Sequence, residues 1–287
     1  MTDDATIRPM TSADVDRTAD VLVGGGWGDR RTFFRFAIDQ PALTPLVAES
    51  DDRIAGTGVA TVNGPVGWVG MIFVDEALRR RGIGSALTNA VLAVLESAGC
   101  ASFVLIATAL GRPVYERLGF KAELEYVQLA SGGLGHAVSP VRPRPGEPVR
   151  IRPFDRADLS AILALDAAAT GEDRAHLLHV VADPASTVVA VGPSGSVVGF
   201  DARAPWGTHP TIAPELIDGI RLVEARRAGA PSGGEVRIGV PDANRPALTT
   251  LANLGWREER RLVRMVRGAP IHWDPRAIWG QFNYAIG

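Results

Sequence analysis

The chain of 287 residues is 46% hydrophobic and 22% charged, the proportions of a packed globular protein of about two domains at roughly 150 residues each, not of a disordered one. Its 30 basic and 32 acidic residues leave a net charge of −2, which excludes the overall basic field of a sequence-independent nucleic-acid binder. The longest apolar stretch, 86–95, is broken by Thr88 and Asn89 and falls short of the roughly 18 residues a membrane span needs. A single cysteine, Cys100, rules out an intramolecular disulfide framework and a cysteine-rich metal site. The start Met1-Thr2-Asp3-Asp4 is acidic where a signal peptide is basic, so a cytoplasmic protein is expected, with neither nucleic acid nor membrane as partner.

In chain order, 5–9 reads as a short strand and a helix follows from about 12, capped by Thr11 or Ser12. The run Gly24-Gly25-Gly26-Trp27-Gly28 breaks it before a second helix around 31–38. Strands are expected at 44–49, 53–62 and 66–74, the first two joined by a turn through Asp51-Asp52. The period then changes: Ile83, Leu87, Ala90, Val91, Val94 and Leu95 recur at helical spacing until Gly99. A strand at 101–107, a helix opened by Pro113 and closed by Gly119-Phe120, and a strand at 122–129 complete the segment. Strands on both sides of a central helix predict a mixed α/β sheet.

The pattern then returns. Ile7-Arg8-Pro9-Met10 with Ala13-Asp14 recurs as Ile151-Arg152-Pro153-Phe154 with Ala157-Asp158, an offset of 144 that also relates Asp29-Arg30 to Asp173-Arg174. Tyr115-Glu116-Arg117-Leu118-Gly119-Phe120 aligns with Leu251-Ala252-Asn253-Leu254-Gly255-Trp256 at an offset of 136. Three matches in one order predict a duplication: a first domain over 1–135, a linker over 136–149 carrying Pro140, Pro143, Pro145 and Pro148, and a second domain over 150–287. The tail after Gly268, with Trp273, Trp279, Phe282 and Tyr284, is too aromatic for a loose end and is expected to pack back as a strand or clasp. His176 and His179 stand at a spacing two metal ligands can use, but with no carboxylate or cysteine pattern beside them they read as solvated surface residues, and no metal is expected.

Between a strand and a helix lies Arg79-Arg80-Arg81-Gly82-Ile83-Gly84-Ser85, where free helical N–H groups, the helix dipole and three arginines favour an anion such as a diphosphate; taken alone, the segment also reads as an ordinary basic turn capping a helix. Leu87 stands where a dinucleotide fingerprint needs its third glycine, and Ser85 where a P-loop needs lysine, so both nucleotide motifs fail. Val74 with Arg79-x-x-Gly82-x-Gly84 resembles the acyl-coenzyme A signature of the GNAT acetyltransferase superfamily. Thr108-x-x-Gly111-x-x-x-Tyr115-Glu116-x-Leu118-Gly119-Phe120 resembles its later strand-to-helix signature. The resemblance covers 5–130 well and 150–268 weakly. Many members have Asn where Thr108 stands; the second copy has Asn244, but Leu251 in place of Tyr115 and no Arg-x-x-Gly-x-Gly.

The resemblance implies two GNAT-like domains in tandem, each a mixed, mostly antiparallel sheet flanked by helices, with the first binding acetyl-CoA and catalytic and the second degenerate. It implies an N-acetyltransferase moving an acetyl group directly to an amine of a small-molecule acceptor. An acyl-CoA sensor without turnover and transfer to a hydroxyl stand as alternatives, and oligomerisation is left open. Carried over by position, Ile72, Phe73 and Val74 would pair with the pantetheine arm and Arg81, Gly82, Ile83, Gly84 and Ser85 would hold the pyrophosphate, with Thr108 and Arg112 also on the coenzyme side. Arg79 and Arg80 would reach the ribose phosphate or face water. Tyr115 would donate a proton to the leaving thiolate, at roughly 2 kcal/mol uphill from a phenol of pKa about 10 to a thiol of about 8.5, or else is a packed aromatic bonded to a carbonyl. A backbone N–H near Phe73 would meet the oxyanion. The expected strand carboxylate is missing from 66–72, and an ordinary alkylammonium loses its proton at pH 7 only at about 4–5 kcal/mol, so Asp29, Glu123, Glu125 and His136 are weighed as bases. Trp27, Phe33, Phe34, Trp68 and Met71 would line the acceptor pocket or pack in the core.

Overall fold

The computed structural model of the chain describes residues 5–135, 150–206, 209–281 and 283–287. The elements in order are β1 (Thr6–Pro9), α1 (Val15–Gly24), α2 (Arg31–Ile38), β2 (Leu43–Ser50), β3 (Arg53–Asn63), β4 (Val66–Val74), α3 (Ile83–Ser97), β5 (Ser102–Ala107), α4 (Arg112–Arg117) and β6 (Lys121–Gly132). The second half repeats them as β7 (Arg150–Pro153), α5 (Leu159–Thr170), α6 (Ala175–Val181), β8 (Thr187–Val191), β9 (Val197–Ala202), β10 (Thr211–Ile212), α7 (Leu216–Gly229), β11 (Glu235–Pro241), α8 (Arg245–Asn253) and β12 (Arg257–Gly268). A final strand, β13 (Ile278–Gly280), follows. The expected mixed α/β class holds, and each element expected in the first half is present within a few residues.

Each match of the sequence repeat is a capping device. Arg8 forks onto Asp14 (2.7 and 2.9 Å) and Arg152 onto Asp158 (2.6 and 2.8 Å), and each aspartate also accepts the backbone N–H three residues before it, at the turn that opens α1 or α5. Asp29 and Asp173 accept the backbone N–H two residues on and so cap α2 and α6. Gly119 (φ +85°) and Gly255 (φ +86°) end α4 and α8 in the left-handed conformation, so that Phe120 and Trp256 bond back to the carbonyls of Tyr115 and Leu251, each at 3.0 Å.

The described residues form two compact units, and these differ from the contiguous segments 1–135 and 150–287. The first unit takes Met1–Ala122 together with Met265–Pro270 and Tyr284–Gly287. Its strands run in the order β1-β2-β3-β4-β5, with β4 and β5 parallel and the other pairs antiparallel. The end of β12 lies beside β5, where Ser102 Oγ donates to the Ala269 carbonyl at 2.8 Å. One sheet face is covered by α3: Leu87, Val91 and Leu95 are fully buried, and a Cβ on Gly58 would stand 3.0 Å from Val91. The opposite face carries α1 and α2, with Leu22 and Phe34 buried.

The second unit takes Glu123–Arg264 and Ile271–Asn283. It contains the sheet β13-β10-β9-β8-β7 and, separately, β6 paired antiparallel with β11, as in Val127 opposite Val240. Thus β6, encoded after α4, serves the second unit, whereas the last residues of β12 serve the first. The segment 136–149 lies outside the described residues.

Candidate active site

In the first unit β4 and β5 pair only over Val66–Trp68 against Ser102–Val104. Val69–Val74 lie beyond that ladder, so the two strands part and an edge of β4 faces a wedge. The register against β3 jumps from Val59 opposite Gly70 to Thr57 opposite Phe73, which sets Met71 and Ile72 against Gly58 alone. Met71 takes φ +51°, a left-handed conformation uncommon for its type, at the centre of this bulge. Ile72 and Val74 pack in one cluster with Ile83, which ties the end of β4 to the start of α3.

At the mouth of the wedge Gly82 sits before α3 at φ +89°, with open space where a Cβ would stand. The first helical bond runs from Ala86 N–H to the Gly82 carbonyl, so the N–H groups of Ile83, Gly84 and Ser85 are not used by the helix. No acidic residue lies in its first turn. Arg80 (φ +66°) and Arg81 are exposed. Arg79 departs from both expected roles: its Nε donates to the Val74 carbonyl at 3.2 Å and its guanidinium lies 3.5 Å from Glu76, so it caps the strand end. Arg112 pairs with Glu116 at 2.7 Å, and the Thr108 hydroxyl accepts the Gly111 N–H at 3.2 Å.

Tyr115 is 8% exposed in α4, with its ring edge-on to Phe120 (centroids 6.2 Å apart). Burial pushes its hydroxyl up to about 12, which keeps it neutral and able to donate. Among the described residues no carbonyl accepts from it.

The carboxylates weighed as bases are engaged elsewhere. Asp29 is held below the ordinary carboxylate range by the Arg31 backbone N–H and guanidinium. Glu123 pairs with the buried Arg264, whose guanidinium lies 4.1 Å over the Trp273 ring, and Glu125 pairs with Arg261 at 3.3 Å. His136 lies outside the described residues. Of the aromatic set, Phe33, Phe34 and Trp68 are at most 3% exposed and belong to the core. Trp27 and Met71 are half-buried, and Trp27 meets Phe73 edge-on at 5.4 Å. His176 is half-buried with its pKa lowered by desolvation, a correction to the solvated surface expected, while His179 is exposed. No metal-holding group of histidine, cysteine or carboxylate is present among the described residues.

The corresponding wedge of the second unit is filled by its own chain, which sequence reasoning missed. Strand β13 pairs with β10, Thr211 opposite Gly280, and packs against β11. The Trp279 indole lies on Gly219 in the first turn of α7 and donates to the Ala213 carbonyl at 3.1 Å. Asn244, the second copy's family-like asparagine, spends its amide on the Arg276 carbonyl at 2.7 Å. Glu215 and Asp218 flank the α7 N-terminus where the first unit has arginines. Leu251, at the Tyr115 position, is fully buried. The aromatic tail thus packs back in part as β13; Phe282 lies outside the described residues.

The acetyltransferase (GNAT) family model matches residues 17–120, and a second model, the acetyltransferase (GNAT) domain, matches 162–280. The chain belongs to the GNAT acetyltransferase family, with two such domains in tandem. An acetyltransferase structure from Pyrococcus horikoshii is similar at a TM-score of 0.79 and 20% identity, covering 98% of this chain and 95% of that one. A tandem GNAT protein from the clavulanic acid biosynthesis pathway is similar at 0.62 and 14%, covering 93% and 99%. A GCN5-related N-acetyltransferase from Sphaerobacter thermophilus is similar at 0.63 and 15%, covering 92% and 95%. These likenesses concern the fold. No curated protein matches in sequence. Among the described residues no helix is long and apolar enough to cross a membrane.

Proposed function

We propose that the chain is an N-acetyltransferase whose first unit binds acetyl-CoA and moves its acetyl group directly to the amine of a small molecule, while the second unit binds no coenzyme. The observation that carries this reading is the contrast between the two wedges. In the first, β4 and β5 stop pairing after Trp68, and the wedge ends at a left-handed glycine with three unused helical N–H groups and two exposed arginines; the second holds β13 and Trp279 and has acidic residues at its helix start.

In this reading the backbone of Ile72, Phe73 and Val74 receives the pantetheine amides, and Ile83, Gly84 and Ser85 N–H groups with Arg80 and Arg81 receive the diphosphate. The bound thioester supplies the activated acetyl carbon. A β4 backbone N–H beside Phe73 stabilises the oxyanion and the Tyr115 hydroxyl donates to the departing sulfur. Burial weakens Tyr115 as an acid, to about 5 kcal/mol uphill from a free thiolate, so its contribution is a held hydrogen bond completed as the C–S bond breaks. With Asp29, Glu123 and Glu125 all engaged by arginines, the acceptor loses its proton to solvent or to His136, or has a low pKa of its own.

A screen of primary amines for thiol release from acetyl-CoA tests the proposal. Amine-dependent release with an acetylated amine as product is expected; coenzyme binding without turnover on any amine would favour the sensor alternative.

A further inference from the structure

Tyr284–Gly287 is last in the chain yet belongs to the first unit. Ala285 is 5% exposed and Ile286 fully buried, and Asn63 Nδ2 donates to the Ile286 carbonyl at 3.0 Å. A Cβ on Gly70 would overlap the Ala285 carbonyl and stand 2.6 Å from its Cα, so the tail backbone lies directly on β4 one residue before the bulge. Pleat alternation identifies the sheet face. Gly56 and Gly58 point at Leu87 and Val91 of α3, so Thr57, Val59, Thr61 and Asn63 point to the other side. Gly70 pairs with Val59 and Phe73 with Thr57, and Phe73 packs on Trp27 and Gly25 between α1 and α2. The tail and the half-buried Trp27 therefore share the face of β4 opposite α3.

We propose that Tyr284–Gly287 is the acceptor-side wall of the transfer site and that Gly70, by lacking a side chain, is the residue that admits it. The inference rests on the reading of the first unit as the acetyl-CoA site. Strand β4 carries no carboxylate, and at Gly70 a main-chain segment covers it. The wall limits the acceptor to what reaches the bulge past Trp27 and Met71, and it keeps water from the thioester. With the wall displaced, a water oxygen attacks the acetyl carbon, the C–S bond breaks, the thiolate takes a proton and acetate leaves.

The test compares the parent chain with Gly70→Ala and with a chain ending at Asn283, measuring acetyl-CoA affinity by calorimetry and thiol release with no amine present. Affinity within about threefold of the parent, and amine-free release raised about tenfold or more in either variant, are expected. Hydrogen exchange over 284–287 reports whether Gly70→Ala has displaced the tail. Displacement with unchanged release overturns the proposal and leaves the tail as core packing. Loss of acetyl-CoA affinity in both variants also overturns it, because the segment then supports the coenzyme side. A parent chain that binds no acetyl-CoA refutes the underlying reading instead.

Discussion

Tyr115 and the residues around it show how burial sets chemistry one group at a time. A phenol pushed up to about 12 remains protonated throughout the working range. It gives no falling limb to a pH profile below about pH 11, and the rate should rise with pH as the acceptor amine loses its proton. Tyr115→Phe should lower transfer about 10- to 1000-fold while leaving coenzyme affinity nearly intact, measured by initial rates beside calorimetry. A parental rate in the variant would reduce Tyr115 to packing. The places of Gly82 before α3 and of Tyr115 within α4 were legible in the sequence because their spacing to neighbouring glycines is itself the signal. The bond from Arg79 to Val74 was not, since nothing in a run of three arginines says which one turns back on the strand. Nor was the role of Gly25, which has φ −83° and is small because Phe73 packs on it, with ring atoms 2.5 Å from where a Cβ would stand.

The elements were readable where local chemistry decides them. The repeated Ile-Arg-Pro and Ala-Asp segments mark the same fork at the head of α1 and of α5, and the repeated Leu-Gly-aromatic marks the same helix end, so the duplication was visible through its caps. Arg152 holds the Asp158 carboxyl below the ordinary range. A carboxyl depressed in the folded state contributes fully above the unfolded value near 3.9, and that contribution is lost as pH falls through the folded value. Asp158→Ala should therefore cost about 1–2 kcal/mol at pH 7, read from denaturant midpoints, with the difference from the parent shrinking as the pH falls below about 3.9. The bulge in β4 was beyond local reading: Met71 takes φ +51° because two residues oppose one across the pairing with β3, a tertiary cause without a glycine or asparagine to announce it.

For the whole molecule, the compact units do not follow the order of the chain. A strand pattern says that β6 and β12 are strands but not which sheet receives them, and β6 from Glu123 on and the last residues of β12 are passed to the other half's unit. The first unit completes itself with Met265–Pro270 and Tyr284–Gly287. Expressed alone, 1–135 leaves β5 without its outer neighbour and β4 without its cover, while β6 is left without β11. The fragment should lack a cooperative thermal transition and bind no coenzyme, whereas the full chain should melt cooperatively and bind it. A fragment with a sharp transition and full affinity would contradict the exchange of strands.

The open wedge of the first unit and the filled wedge of the second are tested together by one calorimetric titration of the full chain with acetyl-CoA. One site per chain is expected, abolished by Gly82→Val, where a β-branched side chain is forced into φ +89°, and untouched by Asn244→Ala, whose amide serves the Arg276 carbonyl. Two sites per chain, or a single site that survives Gly82→Val and vanishes with Asn244→Ala, would contradict it.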